Sequence, residues 1–418
     1  MSNRILNEKV SEGAIAKVAL AHLENDLVIA NLVHTDHSEE FAEKGDTINI
    51  RKPQRFVGQK DNLDLSGYVE DINEGKTQIK MDRTVSVKFT LDSKEMTLDV
   101  GTYAERWIKP AITVLKDAVE SAIAELYADF YWFSGTPGTT PNSFLTLGKN
   151  GTILTNAACP TSPRYAVHDP DTSLVLADSL KGVFVQDKAK GAFEEAKIGR
   201  YAAFDNYQSV HIKRHTAGAQ GGTPLVNGGA QDVTWSTAIG SSTVRDVGYS
   251  TLVTDGWSNS ITGVLKKGDI FTIAGVYAVN PVTRQSTGSL QTFVVTADVD
   301  SSGAGAATLS IMPPIIASGQ YKTVSAVPAD NAAITVKTGT AGQQTAQSML
   351  FHPNSVALVT RPLKKLDSAP WSRTYSGNKM SIAGLKYFDG DKRTETLRLD
   401  ILFGVKTIYP QLGSRLTG

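Results

Sequence analysis

Cysteine is almost absent: Cys159 is the only one in 418 residues. One thiol excludes an intrachain disulfide and a thiolate metal cluster, and it fits folding in a reducing compartment. Net charge is absent as well, because 42 Lys and Arg balance 42 Asp and Glu. A protein devoted to gripping nucleic acid gains its affinity by neutralising phosphates and carries a basic excess, so that class is disfavoured. Zero net charge also removes long-range self-repulsion, which suits a subunit that packs against many copies of itself. No apolar run approaches the roughly 18 residues that span a membrane. The N-terminal stretch is interrupted by Glu12, Lys17, His22, Glu24 and Asp26 and holds no signal-peptide core. The expectation is a protein made and kept in an aqueous, cytoplasmic space.

Catalytic signatures are missing too. The chain has no phosphate-binding Gly-x-x-x-x-Gly-Lys-Ser/Thr loop, no dinucleotide fingerprint, no Gly-x-Ser-x-Gly elbow and no His-Glu-x-x-His. The nearest thing to a metal cluster is His34, Asp36 and His37, but "HTDH" lies at a helix end beside "SEEFAEKG", where solvated polar residues belong. His211 and His215 flank a strand running into a loop, which turns their side chains apart. Trp235 and Trp257 read as core fillers of a small β module more readily than as a sugar platform. No catalytic, metal or cofactor site is expected.

What is present is a sequence of changing periodicities. Ile15, Val18, Ala19, His22, Leu23, Leu27 and Ala30 follow helical spacing over roughly residues 11 to 33. From 46 to 99 the pattern alternates, in "GDTINIRKPQRF" and again in "TVSVKFTLDSKEMTLDV", around a polar stretch rich in turn residues. Two such runs predict a long two-stranded ribbon, which is marginal in water without a neighbour. Ile108, Ala111, Ile112, Leu115, Val119, Ile123 and Leu126 form one stripe of a long helix that begins near Pro110 and runs to about Phe133. Lys116, Asp117, Glu120, Ser121 and Glu125 fall on its opposite, solvent side. Residues 171–200 read as strand and then helix. After the glycine-rich "TAGAQGGTPLVNGGA", short alternating runs recur between Gly, Ser, Asn and Pro turns as far as Thr345. That is the pattern of an all-β barrel or sandwich. The strand patterns "SMLFHPNSVALVTRPL" and "TETLRLDILFGVKTIYP" of a larger mixed domain resume beyond it, so the β module interrupts a host.

Four segments together resemble the phage P22-type coat protein family: "TLDVGTYAERWIKPAITVLKDAVESAIAELY", "IGRYAAFDNYQSVHI", "ITGVLKKGDIFTIAGVYAVNP" and "SMLFHPNSVALVTRPL". The resemblance runs in order from about residue 40 to the C-terminus. It implies an α+β, HK97-like capsid fold with an inserted all-β barrel. Its implied parts are an N-arm (1–45), an E-loop with flanking strands (46–99), a P-domain spine helix (100–139), and an A domain (140–215). The inserted barrel (216–345) and a C-terminal A/P part (346–418) follow. The implied function is that of a major capsid protein, in pentamers and hexamers of an icosahedral shell, assembled with a scaffolding protein and a portal around double-stranded DNA contacted non-specifically. An encapsulin-like compartment, or an adhesin binding carbohydrate through the β module, are the rival readings. Candidate subunit contacts are the charged residues of the ribbon, Arg51, Arg55, Lys60, Asp61, Asp64 and Glu70, and of two barrel loops, Arg245, Asp246 and Arg284.

Overall fold

The computed structural model describes residues 23, 27–35, 47–59, 64, 66, 68–70, 72, 74–92, 108–179, 199–234, 248–361, 363–364, 371–376, 380–389, 391 and 394–418. Two compact units share the chain, each assembled from separate stretches.

The first unit takes residues 1–48, 79–124 and 356–406. Its sheet is built on the strand Thr394–Thr407, with Arg83–Asp92 antiparallel along one edge and Ser381–Asp389 along the other. Register explains the alternation of the sequence: Val85, Val87 and Phe89 stand opposite Ile401, Leu399 and Leu397. These last three are buried, so one face of the pair is continuously apolar. Helix α1, Lys109–Ala124, buries Ala111, Ile112, Leu115, Val119, Ala122 and Ile123, the stripe expected of it.

Two features of this unit correct the sequence reading. Residues 27–33 form bends and turns rather than the end of a helix. They are held by Glu120, which the helical wheel placed in solvent but which is fully buried. Its carboxylate accepts the backbone N–H groups of Val28, Ile29 and Ala30 at 3.0, 3.0 and 3.1 Å. A carboxylate offers acceptors in several directions, and a turn offers adjacent N–H donors that no helix ladder uses. His34 then pairs in bridge fashion with Ala357, so it belongs to an extended segment and not to a helical metal face. Asp36 and His37 lie outside the described residues.

The second unit takes residues 49–78, 125–355 and 407–418. The long helix of the sequence reading stops at Ala124, tightens into a 3-10 turn over Glu125–Asp129, and becomes the strand Trp132–Gly135. The aromatic run Tyr131-Trp132-Phe133 favours a pleated surface over a helix. That strand pairs parallel with the C-terminal strand Gly413–Thr417, which lies antiparallel to Gln344–Phe351. The sheet continues through Tyr165–His168 and Phe204–Gln208 to Arg200–Tyr201. Helix α2, Phe144–Asn156, covers it by packing Leu147 and Leu154 against Ala166, Phe204, Leu350 and Leu416. The side chain of Ser143 caps α2 by accepting the N–H of Thr146 at 3.3 Å. Residues Pro170–Ser179 form helix α3, although "SLVLADS" alternates like a strand. Pro170 at the helix start fixes φ where no N–H is needed.

Within this unit the segment Gly222–Val336 forms its own six-stranded sheet. The order is Ile334–Val336, Ile270–Val279, Ser286–Val295, Ala307–Met312, Ser250–Trp257 and Gly222–Val226. The outer strands meet: Val226 N–H donates to Ala332 O at 3.0 Å and Asn331 N–H to Val226 O at 2.9 Å. The sheet therefore closes into a barrel around Leu252, Phe271, Phe293, Leu309 and Ile311. Trp257 is buried among them with its Nε1–H on Thr254 Oγ1 at 2.8 Å, a core filler. Trp235 lies outside the described residues. The strands on either side of the barrel, Arg214–Thr216 and Gln344–Phe351, pair with each other, His215 opposite Thr345. The chain leaves and re-enters its host at adjacent points.

Strands Thr47–Arg51 and Lys76–Lys80 pair as the base of the ribbon. Periodicity pairs the first with the 84–99 run, but in the structure Arg83–Asp92 joins the sheet of the first unit instead. "KTQIK" has only one large apolar residue, Ile79, too few to mark a strand by alternation, yet Ile79 is fully buried.

Candidate subunit-contact site

The ribbon beyond its base is held by the barrel of its own chain. Tyr321 donates its hydroxyl to Gln54 Oε1 at 2.9 Å, and Arg284 Nη2 donates to Phe56 O at 2.6 Å. Arg284 adopts φ 57° in the loop between two barrel strands. Glu70 returns across the ribbon to accept the N–H groups of Val57 and Gly58, at 2.9 and 2.7 Å, and the hydroxyl of Tyr68. The Tyr68 bond first, and those backbone donors after it, hold the Glu70 carboxyl below the usual carboxylate range. Asp64 accepts the N–H of Ser66 at 3.0 Å and turns the chain locally. Arg51 lies 3.8 Å from Glu74 across the exposed ribbon.

Of the candidate contacts, the structure brings Arg284 and Glu70 to the same backbone stretch, with Arg55 beside it. Arg51 and Asp64 stay at separate places on the ribbon. Lys60, Asp61, Arg245 and Asp246 lie outside the described residues. What charge-based selection missed is the apolar side of the ribbon: Phe56, Val69 and Ile72 are 58, 86 and 75 % exposed, and Val282 of the adjoining barrel loop is 71 % exposed. The signal was in the sequence, since "GYVEDINEG" sets Val69 and Ile72 among turn residues that leave them nothing local to pack on.

A second site joins barrel to host. Asp269, fully buried, accepts His215 Nε2–H at 2.8 Å, Thr338 Oγ1–H at 2.7 Å, and the N–H groups of Gly218 and Lys266 at 3.0 and 2.7 Å. With Nε2–H committed to Asp269, His215 Nδ1 accepts the Tyr127 hydroxyl at 3.0 Å. Arg415, also fully buried, donates to Gly268 O at 2.8 Å and Phe130 O at 2.9 Å, and its guanidinium lies 5.5 Å from the Tyr127 ring centre. Gly268 has φ 98°, and a Cβ there would stand 3.1 Å from the His215 ring, so both the turn and the close approach require glycine. Burial alone would push the Asp269 carboxyl up, but the bonds from His215, Lys266 and Thr338 outweigh it and hold it low. Burial pulls Arg415 down to about 10, so it stays charged at neutral pH.

A tyrosine, a histidine and an aspartate in a chain suggest proton relay, but His215 is buried, only 3 % exposed. The arrangement locks two parts of one unit together. His211 takes no part in it. Among the described residues no three His, Cys, Asp or Glu side chains gather to hold a metal. Cys159 is buried, which pushes its thiol up against the opposing influence of Arg164.

His168 is fully buried, and burial lowers it even though Asn206, on its Nε2 at 3.0 Å, and Asp169 pull the other way. Burial lowers His352 likewise. Such a histidine stays unprotonated in the fold while the unfolded chain takes up a proton. Stability is therefore full above the ordinary histidine value of 6.5 and is lost as pH falls below it. Each site is expected to cost up to about 1.4 kcal/mol per pH unit in that range. Denaturant midpoints measured from pH 7.5 to 5 should fall for the parent and fall less for His168→Gln. Equal slopes would show that His168 titrates alike in both states.

The buried polar groups described above are spent on holding parts of one unit together, and the ribbon leaves Phe56, Val69 and Ile72 uncovered. A family model described as P22 coat protein, gene protein 5, matches residues 5–418, so the chain belongs to that family of phage coat proteins, and its mixed sheets and few helices make it an α+β protein. It is similar to the major capsid protein of Acyrthosiphon pisum secondary endosymbiont phage 1, 24 % identical over 421 residues and 97 % of each chain. Among solved structures, one of Mycobacterium phage Che8 covers 94 % of this chain and 91 % of its own, at 12 % identity and a TM-score of 0.48. The CUS-3 coat protein I-domain matches 29 % of this chain with all of its own length, at 31 % identity and a TM-score of 0.20. The chain is thus a structural component of a virion capsid that assembles into oligomeric shells.

Proposed function

We propose that the chain forms the hexamers and pentamers of an icosahedral phage head, with the exposed ribbon reaching a neighbouring subunit. A scaffolding protein guides assembly in the host bacterial cytoplasm, a portal occupies one vertex, and packaged double-stranded DNA meets the inner surface non-specifically. The subunit catalyses nothing. One observation carries the reading: Val69 and Ile72 stand exposed on a ribbon too thin to bury them. Repeated weak contacts close a shell because each subunit is held on several sides at once.

The test is Val69→Asp combined with Ile72→Asp. Exposed sites of this kind change free-subunit stability by about 0.5 kcal/mol or less, so melting of the double variant should match the parent. Sedimentation with scaffolding protein should give shells for the parent and slow-moving subunits for the variant. Normal shells from the variant would remove the ribbon from the interface, and a parent that never leaves the monomer or dimer peak would remove the shell reading itself.

A further inference from the structure

Beyond its base the outgoing side of the ribbon has no ladder to hold it. Residues 53–59 belong to no strand, so their peptide groups take partners from elsewhere. One peptide unit, joining Phe56 to Val57, is gripped at both ends. Its carbonyl oxygen accepts Arg284 Nη2–H at 2.6 Å, and its N–H donates to Glu70 at 2.9 Å. The N–H of Gly58 donates to the same carboxylate at 2.7 Å. The cation thus stands at the negative end of the peptide dipole and the anion at the positive end. Hydrogen bonds linked in this way are charge-assisted and polarise one another.

The barrel loop that carries Arg284 is closed by its own hydrogen bonds. Asn280 Oδ1 accepts the N–H groups of Val282 and Thr283 at 2.8 and 3.1 Å. The Asn280 carbonyl accepts Arg284 N–H at 2.8 Å, and its N–H donates to Gln285 O at 3.0 Å. Val282, Thr283 and Gln285 are exposed in this loop, whereas Arg284 is half-buried. Its φ of 57° is unfavourable for an L side chain and free for glycine. A side chain retained where glycine would be at ease points to a use for that side chain. The same barrel holds the ribbon a second time, through the Tyr321 hydroxyl on Gln54 Oε1 at 2.9 Å.

We propose that Arg284 is a positioning residue: with Glu70 it clamps the Phe56–Val57 peptide and so sets the direction in which the ribbon leaves the barrel. Val69 and Ile72 are exposed while the clamp is closed, so the clamp presents that apolar pair rather than masking it. Fixing the ribbon before a neighbour arrives removes an ordering cost from assembly. This last step rests on the shell reading, whereas the clamp itself is complete in one free subunit.

Amide exchange on the free full-length subunit tests the clamp. Arg284→Gly suits the loop's φ and removes the guanidinium, so amides of the barrel core, such as those of Phe271 and Phe293, should keep their parent rates. The amides of Val57 and Gly58 should exchange about three to ten times faster, the range for one partly exposed charge-assisted bond. Arg284→Lys restores the charge and a donor and should recover part of the protection. Glu70→Gln should act in the same direction. Because both residues act on one peptide unit, the double variant should exceed either single change by less than the product of the two. Sedimentation with scaffolding protein should show Arg284→Gly forming shells only at several times the parent's subunit concentration, with Arg284→Lys between them. The clamp is overturned if exchange at residues 57 and 58 is unchanged in Arg284→Gly, if the two effects simply multiply, or if the barrel core loosens equally. Its positioning role is overturned if those two amides loosen while shells form at the parent concentration. A parent that forms no shells sinks the shell reading alone, and exchange still decides the clamp.

Discussion

Replacing Asp269 by asparagine is expected to lower the stability of the barrel-bearing unit by about 3–5 kcal/mol, the range for breaking a buried charged network on one side. Four donors converge on the carboxylate: His215 Nε2–H, Thr338 Oγ1–H and the N–H groups of Gly218 and Lys266. An amide keeps one acceptor oxygen and turns an NH₂ group toward donors that have nowhere else to go. The change also removes the negative charge that opposes the burial of Arg415, which stays charged and fully buried. Thr338→Val removes a single bond and should cost only about 1.5–3 kcal/mol, because that bond goes to a charged group.

The pH dependence has a fixed sign. The folded-state pKa of Asp269 lies below its ordinary value of 3.8, so its contribution is complete above about pH 4 and is lost as pH falls through the lowered value. The parent should therefore lose stability on acidification below pH 4 more steeply than Asp269→Asn. Denaturant midpoints of the free subunit measure both effects, and a variant melting within about 0.5 kcal/mol of the parent would mean that the buried bonds do not join barrel to host.

This network shows where sequence reasoning reaches and where it stops. "LKKGDIF" is legible as a tight turn entering a strand, and it is one. That its aspartate is the anchor of the unit depends on His215, 54 residues earlier, and on Arg415, 147 residues beyond Gly268. No local pattern records such partners. A barrel border drawn at residue 216 also falls just past His215, separating Asp269 from its closest side-chain neighbour in the host. Periodicity did recover what packing alone determines: the Ile112, Leu115, Val119 and Ile123 stripe, and the Val85, Val87, Phe89 face. It failed where tertiary pairing overrides local tendency. "SLVLADS" is helical in α3 despite its alternation, and "ELYAD" breaks the long helix into a 3-10 turn that presents Tyr127 to His215. In the candidate contact site, a choice by charge picks out Arg284 and Glu70, and both bind backbone of their own chain. The exposed apolar residues beside them were passed over because alternation and turn chemistry carry no information about what remains uncovered.

Glu120 offers a test in which the two ways of reading a helix predict opposite signs. On a solvent-facing position Glu120→Ala would be neutral or slightly favourable, since alanine is the better helix former by a few tenths of a kcal/mol. In the folded unit the same change strips the acceptor from three adjacent N–H groups, those of half-buried Val28 and buried Ile29 and Ala30. Each bond to a charged group is worth about 1.5–3 kcal/mol and an orphaned donor keeps its desolvation penalty. Some of that loss is recovered as the turn relaxes toward solvent, so a net cost of about 3 kcal/mol or more is expected. Glu120→Gln keeps one oxygen acceptor and should fall between the two. Asp117→Ala, one turn back on the exposed side, should stay within about 0.5 kcal/mol of the parent. Amide exchange at residues 28–30 separates the causes: protection should vanish in Glu120→Ala before the rest of α1 opens. Retained protection at those amides, with unchanged melting, would return Glu120 to the solvent face of the helix.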